Sequence, residues 1–144
     1  GYLVETLETA THWDRLEALH DAVRSSLRGS LADDGPGPIV MSHVSHVYET
    51  GASLYLTVVA RADRADPVGQ WQEAKRAATQ TIVDLGATVT HHHALGTDHA
   101  PWLPDEVGPL GVAVLRAVKD VVDPVGVLNP GKLLPPPAGP PTGS

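Results

Sequence analysis

The sequence predicts an α+β fold in which a β-α-β-β-α-β order, the ferredoxin-like arrangement, is followed by one more helix. Three observations favour this fold. A pair of runs alternates between apolar and polar residues on either side of a short turn. Two longer segments repeat apolar residues every three or four positions, as amphipathic helices do, and glycine or proline separates most segments. Such a fold places both helices on one face of an antiparallel sheet and leaves the other face open.

The first strand and the first helix come from the N-terminal part of the chain. Residues 2–8 form a β-type run, and Thr11 stands where a helix cap is expected. Gly29 is a favourable end for that helix. The helix stripe that faces the core consists of Trp13, Leu16, Leu19, Val23 and Leu27. We therefore expect Trp13 to be buried.

A hairpin follows a loop that is rich in glycine and proline. Its strands are residues 39–48 and 52–61, joined at a turn that contains Gly51. Apolar and polar side chains alternate in the second strand, so Tyr55 points away from Leu54 and its apolar neighbours. Tyr55 is therefore expected on the open face of the sheet.

The second helix and a fourth strand complete the predicted sheet domain. Asp66 and Pro67 begin the helix, with proline at its first position, and Gly86 ends it. Trp71 lies on its apolar stripe, which predicts a core position. Residues 87–93 are predicted to form the fourth strand.

The remaining residues predict one helix and a tail. The third helix spans about residues 104–122 and ends at Asp123-Pro124. Residues 125–134 form a short terminal segment. Residues 135–144 are rich in proline and glycine, and this composition is typical of disorder.

Composition and charge exclude several classes of function. The chain has 144 residues, a length typical of one domain, and 42% of them are hydrophobic. A formal net charge of −7 argues against a nucleic-acid surface. The absence of cysteine excludes disulfides and thiolate metal sites, and no apolar run approaches the roughly 18 residues of a membrane span. These features fit a cytoplasmic protein, which is the location we expect.

His91, His92 and His93 need an explanation, because adjacent imidazoles in a strand are costly without partners. In an extended segment His91 and His93 share one face and His92 opposes them. Three interpretations remain open at this point: surface histidines beside a loop, a metal site, and an active-site edge that transfers protons or binds an anion. The metal is disfavoured because His43 and His46 would splay to opposite faces of a strand. No metal is therefore expected, and His43 and His46 are interpreted as structural or rim residues.

Tyr55 is a second candidate group. A tyrosine in a strand is most often a packing residue, but a phenol on an open sheet face is available as an acid or a base. Trp102 either packs on the third helix or lines a pocket. Residues 129–132 form an ordinary turn sequence when taken alone. The sequence contains neither a glycine-rich phosphate loop nor a serine nucleophile elbow.

Three segments together resemble one family. Residues 123–132, Asp-Pro-Val-Gly-Val-Leu-Asn-Pro-Gly-Lys, resemble the closing motif of FAD-linked oxidases of the vanillyl-alcohol oxidase type. Residues 90–96, Thr-His-His-His-Ala-Leu-Gly, resemble the triple-histidine motif of the alkylglycerone-phosphate synthases. Residues 45–55 resemble a strand pair of the same synthases, and Glu5–Ala10 with Trp13–Arg15 also fits. The triple histidine is the specific part of a resemblance that covers nearly all of residues 1–134.

The resemblance implies that residues 1–134 are the C-terminal cap, or substrate, domain of an FAD-dependent enzyme whose FAD-binding domain lies upstream. A chain that opens inside a strand fits this expectation. In the family, the cap closes over the flavin ring. The catalytic residues implied by the motifs are Tyr55, His91, His92 and His93, and the implied cofactor contacts are Asn129 and Lys132.

The resemblance also implies a function, and two other functions remain open beside it. The synthases exchange the acyl chain of acyl-dihydroxyacetone phosphate for a fatty alcohol in ether-lipid synthesis, with the flavin as a covalent trap. Ala94 stands where they more often have glycine, so an FAD-linked dehydrogenase or oxidase of a hydroxy acid or alcohol is the first alternative. A free-standing binding module without enzymatic activity is the second. Expected partners are the upstream FAD domain, a small-molecule or lipid substrate, a peripheral membrane surface and a second copy in a homodimer, but no nucleic acid.

Overall fold

The structure is a computed structural model that describes residues 1–134, so the predicted tail at residues 135–144 lies outside the described residues. The chain divides into two compact units, of which the first is Gly1–His93 and the second begins at Ala94. The first unit contains β1 (Tyr2–His12), α1 (Leu16–Ser30), β2 (Ile39–Val47), β3 (Gly51–Arg61) and α2 (Pro67–Asp84). The second contains α3 (Leu103–Val122). The α+β class is confirmed.

The sheet of the first unit is antiparallel and has the order β1-β3-β2, with β3 in the centre. β3 pairs with β1 along its whole length, from Gly51 opposite His12 to Arg61 opposite Tyr2. On its other side it pairs with β2, and the register slips between Ser45 and Val47. This slip is a β-bulge, an extra residue that bends one strand and redirects its side chains.

The core lies between one face of this sheet and the two helices. Alternation along β3 buries one side, and the same face of the sheet meets the buried stripes of α1 and α2. The residues that fill this core are Leu19, Val23, Leu27, Leu54, Leu56, Val58, Ala74, Ala78 and Ile82. The predicted alternation is therefore confirmed, and Trp71 packs against the core. The predicted helix stripes are confirmed except at Trp13 and at Leu85, which was expected on the α2 stripe but is 38% exposed just after the helix ends.

The start of α1 differs from the prediction. β1 continues to His12, so Thr11 is a strand residue and does not cap the helix. Trp13 lies in a 3₁₀ turn, Trp13–Arg15, and its side chain is 45% exposed. The expectation of a buried Trp13 is wrong because the helical period begins three residues later, at Leu16. The start of α2 is as predicted: Asp66 caps it by accepting a hydrogen bond of 2.8 Å from the backbone N–H of Gly69.

The predicted fourth strand at residues 87–93 does not form. The segment runs beside β1, where the backbone N–H groups of Thr88 and His91 donate to the carbonyls of Ala10 and Glu8. This is the position that a fourth antiparallel strand would occupy. The segment then turns, because Thr90 Oγ1 donates to the carbonyl of His93 and His92 adopts a φ of 57°. A continuous ladder cannot pass a residue in that left-handed conformation.

The second unit is built around α3, which begins at Leu103, close to the predicted residue 104. The helix is interrupted at Gly108, whose φ of 73° is not helical, and Pro109 follows this kink. Its apolar stripe is exposed, although Leu103 is buried. The helix ends before Asp123 as predicted. Across residues 1–134, no helix is both long enough and apolar enough to cross a membrane.

Candidate active site

The open face of the sheet carries a buried carboxylate that contacts two of the three predicted histidines. Glu8 lies in the middle of β1, and its side chain is only 4% exposed. Its Oε1 lies 3.1 Å from His91 Nδ1, and its Oε2 lies 3.4 Å from His93 Nε2. His91 and His93 therefore share one face, as the sequence predicts, and Glu8 is the partner that they need.

The pKa of Glu8 results from opposing effects. Burial raises the pKa, because it disfavours the charged form. Hydrogen bonds from His91 and Ser53, together with the charges of His91 and His93 when these are protonated, lower it by more. The net pKa lies below its usual value, so Glu8 is an ionised hydrogen-bond acceptor at neutral pH.

Tyr48 occupies the other side of the His91 ring. Its hydroxyl lies 3.1 Å from His91 Nε2. Tyr48 is the first residue after β2, and its backbone is held at two points. Its N–H donates to the carbonyl of Gly51 at 2.8 Å, and its carbonyl accepts a 3.1 Å hydrogen bond from Trp13 Nε1. The exposed Trp13 thus positions the Tyr48 turn.

His46 and His92 lie beside the His91 ring and form a group of three imidazoles with it. The His92 ring stacks on His91, with centroids 4.3 Å apart, and lies 4.2 Å from the His46 ring. Both His46 and His92 have positive φ, 36° and 57°, which is uncommon for residues other than glycine. Such backbone strain concentrates at functional sites. The bulge turns His46 into the group, and its interpretation as a structural or rim residue stays a prediction. His92 stacks on His91 and does not oppose it as expected.

Tyr55 lies on the open face, as predicted, in one cross-strand row with Glu8 and His43. Its ring meets His93 edge to face, with centroids 5.6 Å apart. The side chain is partly exposed while its neighbours Leu54 and Leu56 are buried. Tyr55 therefore borders the histidine group and remains accessible to a ligand.

A metal ion does not fit the imidazoles as they are placed. The ring nitrogens of His46, His91 and His92 lie within 4.8 Å of one another. Nitrogen lone pairs lie in the ring plane, however, and the nearly parallel rings of His91 and His92 cannot direct theirs to one tetrahedral ion. Both nitrogens of His91 also have partners in Glu8 and Tyr48. The absence of a metal remains a prediction that this geometry supports.

The two predicted cofactor contacts belong to the second unit. Asn129 and Lys132 form a turn in which the Lys132 N–H donates to the Asn129 carbonyl at 3.2 Å. Both line a cavity of about 960 Å³ within that unit, together with Arg116 and Lys119. Asp123 holds the preceding segment by accepting hydrogen bonds of 2.9 Å from the N–H groups of Val127 and Leu128. The Asp-Pro motif thus fixes the path of the chain toward Asn129.

Sequence reasoning missed Glu8, Tyr48 and His46 as members of this site. Each belongs to a segment that carries the family resemblance, but only their contacts with His91 and His92 bring them into the site. β1 carries two carboxylates, Glu5 and Glu8, and the sequence alone does not separate the buried Glu8 from the exposed Glu5. The bulge that redirects His46 has no comparable signal in the sequence.

Comparison with family models gives a match over residues 1–133 to the FAD linked oxidases, C-terminal domain. The chain belongs to this family. Among curated relatives of this FAD-linked oxidase C-terminal domain, alkyldihydroxyacetonephosphate synthase of Dictyostelium discoideum is 29% identical over 132 residues. These residues are 92% of this chain and 22% of that protein. The same enzyme of Trypanosoma brucei brucei is 30% identical over 123 residues, 84% of this chain and 20% of that protein.

More distant relatives carry other names. The uncharacterized FAD-linked oxidoreductase YgcU of Escherichia coli strain K12 is 23% identical over 139 residues, 94% of this chain and 28% of that protein. A solved structure of alkyldihydroxyacetonephosphate synthase superposes with a TM-score of 0.61 at 22% identity, covering 90% of this chain and 20% of that one. This structural similarity supports the α+β fold described above. This FAD-linked oxidase C-terminal domain spans about a fifth of the length of the synthases that it matches.

Proposed function

We propose that this chain is the substrate-facing C-terminal domain of an FAD-dependent enzyme with alkyldihydroxyacetonephosphate synthase-type chemistry. The reaction exchanges the acyl group of an acyl-dihydroxyacetone phosphate for a fatty alcohol. The observation that carries the proposal is the cluster of phenols and imidazoles around Glu8 on the open face of the sheet. The cluster includes the triple histidine, which is the specific part of the resemblance to these synthases.

The proposed catalytic residues are Tyr55, His91, His92 and His93. Tyr55 is placed to exchange a proton with a ligand on the open face, because its ring is accessible and borders His93. His91 and His93, held by Glu8, can carry a proton or stabilise a departing carboxylate. His92 extends this group toward solvent by stacking on His91. Acid–base exchange and anion stabilisation are both needed when a carboxylic acid leaves and an alcohol takes its place.

The polar open face, where Tyr55 and His93 lie beside Glu8, is the proposed surface for the reactive ring of FAD. The described residues offer no comparable site for the FAD phosphates. The positive-φ glycines of residues 1–134 are Gly37, Gly86, Gly108, Gly126 and Gly131, scattered rather than gathered in one anion-binding loop. We therefore assign the pyrophosphate site to an upstream domain. When bound, FAD supplies a ring that accepts electrons or a substrate group, and Asn129 and Lys132 are the proposed side-chain contacts to the cofactor.

The test uses the full-length protein that contains an FAD-binding domain and this chain. Incubation with acyl-dihydroxyacetone phosphate and a fatty alcohol is expected to yield the alkyl ether and free fatty acid. Absorbance of the flavin at the end of the reaction should equal that of the oxidised protein, because the exchange involves no net oxidation. A full-length protein that binds no flavin even after incubation with excess FAD would contradict the proposal.

A second candidate function is the dehydrogenation of a hydroxy acid or an alcohol. The similarity to YgcU, and to the glycolate oxidase subunit GlcD of Bacillus subtilis at 28% identity over 81 residues, favours it. Anaerobic addition of such a substrate would bleach the flavin lastingly, because two electrons remain on the ring. Lasting bleaching by a hydroxy acid, without ether formation in the first assay, would replace the synthase proposal with this one.

A further inference from the structure

We propose that Tyr48, His91 and Glu8 form a proton relay in which Tyr48 exchanges a proton with a ligand, His91 stores it and Glu8 orients the His91 ring. The proposal rests on the proposed function, because it concerns the same face of the sheet. It adds two residues, Tyr48 and Glu8, that are outside the predicted catalytic set.

The tautomer of His91 follows from its two partners. An ionised carboxylate only accepts hydrogen bonds, so His91 Nδ1 carries the hydrogen and donates it to Glu8 Oε1 at 3.1 Å. In the neutral ring Nε2 is then a bare acceptor. The Tyr48 hydroxyl donates to it at 3.1 Å. The order of phenol, imidazole and carboxylate is the one found in nucleophilic enzymes, where a hydroxyl contacts an imidazole base and a carboxylate orients that imidazole.

Exposure of the three groups rises in the order that a relay requires. The side chain of Glu8 is 4% exposed, that of His91 is 16% exposed, and Tyr48 is 49% exposed. A ligand can therefore reach the Tyr48 hydroxyl more easily than the other two groups. The positive charge that a proton creates on His91 is balanced inside the protein by Glu8. Burial of an imidazolium without such a carboxylate would be costly.

The proton balance of one step is simple. A ligand group gives one proton to the Tyr48 oxygen while the original Tyr48 proton passes to His91 Nε2. The ligand gains one negative charge, and the imidazolium beside Glu8 gains one positive charge. The reverse step returns the proton to a departing oxygen. No electron is transferred, so the relay requires no oxidant or reductant.

Tyr55 differs from Tyr48 in its contact with the histidines. Tyr55 meets the edge of His93 through its ring, at a centroid distance of 5.6 Å. Tyr48 also approaches His91 ring to edge, at 6.0 Å, but adds the hydroxyl contact to Nε2. The two phenols therefore have separate roles in this proposal: Tyr48 passes its proton to His91, whereas Tyr55 exchanges a proton with the ligand without this relay.

The first test measures the accessibility of His91 Nε2, which the Tyr48 hydroxyl contacts, and does not depend on enzyme activity. Diethyl pyrocarbonate acylates imidazole nitrogens that lack a proton, and peptide mass spectrometry can assign the modified histidine. In Tyr48→Phe the ring stays and Trp13 still binds the backbone carbonyl, but Nε2 of His91 loses its partner. The initial rate of His91 acylation in the full-length protein should rise roughly threefold to tenfold, the range expected for loss of one hydrogen bond. Tyr2→Phe, at the far end of β1, is the matched control and should leave the rate unchanged.

The second test measures turnover. Tyr48→Phe should lower kcat roughly 100-fold, as loss of a proton-transfer group does, with KM nearly unchanged. Glu8→Gln keeps the shape but removes the charge that balances the imidazolium, so kcat should again fall while KM stays the same. Glu5→Gln, an exposed carboxylate on the same strand, should behave like the wild-type protein. The melting temperature of each variant reports whether the fold is intact.

The outcomes separate the relay from the proposed function. Equal His91 acylation in wild type and Tyr48→Phe, or a normal kcat in Tyr48→Phe, would overturn the relay even if the synthase assay succeeds. Faster acylation together with the selective fall in kcat would establish it. A wild-type protein without flavin or turnover would refute the proposed function, and the acylation rates would then decide alone whether the Tyr48–His91 contact exists. If Glu8→Gln does not fold, the acylation rate and the kcat of Tyr48→Phe still test the relay.

Discussion

At the residue scale, Glu8 explains why the adjacent histidines are tolerated. One buried carboxylate binds one imidazole through each oxygen, so neither His91 nor His93 is left as a buried polar group without a partner. Sequence patterning placed Glu8 in a strand but could not identify its partner, because 83 residues separate it from His91. The histidine cluster was predictable, and the carboxylate that pairs with two of its members was not.

Tyr55→Phe should reduce turnover of the full-length enzyme by roughly 100-fold, the usual range for loss of a general acid or base. The variant keeps the ring that meets His93, so the melting temperature and flavin content should match the wild type. Steady-state kinetics, thermal unfolding and flavin absorbance measure these quantities on one preparation. A lowered melting temperature with normal turnover would identify Tyr55 as a packing residue instead.

Gly51→Ala should destabilise the fold by about 1–3 kcal/mol, the cost of forcing an atom into a packed site. A Cβ at this position would lie 2.0 Å from the backbone carbonyl oxygen of Thr11 in β1, closer than atoms can approach. Chemical denaturation would measure the loss. Gly29→Ala is the control, because a Cβ at Gly29 meets nothing within 4 Å and alanine favours a helix. Equal stability of the two variants would contradict this assignment.

At the element scale, the 3₁₀ turn of Trp13–Arg15 connects β1 to the turn that follows β2. The Trp13 N–H and His12 Nδ1 both donate to the Thr50 carbonyl at 3.2 Å, and the Trp13 indole donates to Tyr48. Trp13 was expected in the core because its spacing fits the α1 stripe. The tryptophan is instead a polar anchor that uses its indole N–H, a function that hydrophobic periodicity does not detect.

Asp123→Asn should lower thermal stability at neutral pH, and the difference from wild type should shrink in acid. The Lys119 ammonium, with the N–H groups of Leu128 and Val127, outweighs desolvation and lowers the pKa of Asp123 from 3.8 to about 2. A depressed pKa adds stability above 3.8 that is lost as the pH falls toward 2. Melting curves across this interval test the sign. Asp120→Asn, at an exposed position on the same helix, is the control and should keep the wild-type melting temperature at neutral pH.

At the scale of the whole molecule, the α+β class, both core-facing helices and the open sheet face could be predicted from periodicity alone. The fourth strand could not, because Thr90 and the left-handed His92 divert a segment whose composition is otherwise typical of a strand. The histidine cluster and Tyr55 were recognisable from residue type. The assembly of the cluster depends on the β-bulge at His46 and on the contact between Glu8 and His91, which are far apart in the sequence. Neither feature has a local signal in the sequence.

Residues 1–144 alone should bind FAD weakly or not at all. The described residues offer no glycine-rich loop for the pyrophosphate, and the chain corresponds to about a fifth of its synthase relatives. Titration of FAD with the chain, followed by flavin fluorescence, should give no saturable quenching in the micromolar range. Tight binding with one flavin per chain would disprove the assignment of the pyrophosphate site to an upstream domain.

The central position of β3 has a consequence for the time scale on which the site moves. Backbone amides near Tyr55 are enclosed by neighbouring strands on both sides, from Ala52 to Val59, and should be among the slowest to exchange with deuterium. Amides of residues 49–50 and 92–93 lie beyond the ladders and should exchange much sooner. Deuterium uptake followed by mass spectrometry would resolve the two groups. Tyr55 would then be a fixed reference point, toward which Tyr48 and the histidines adjust when a ligand arrives.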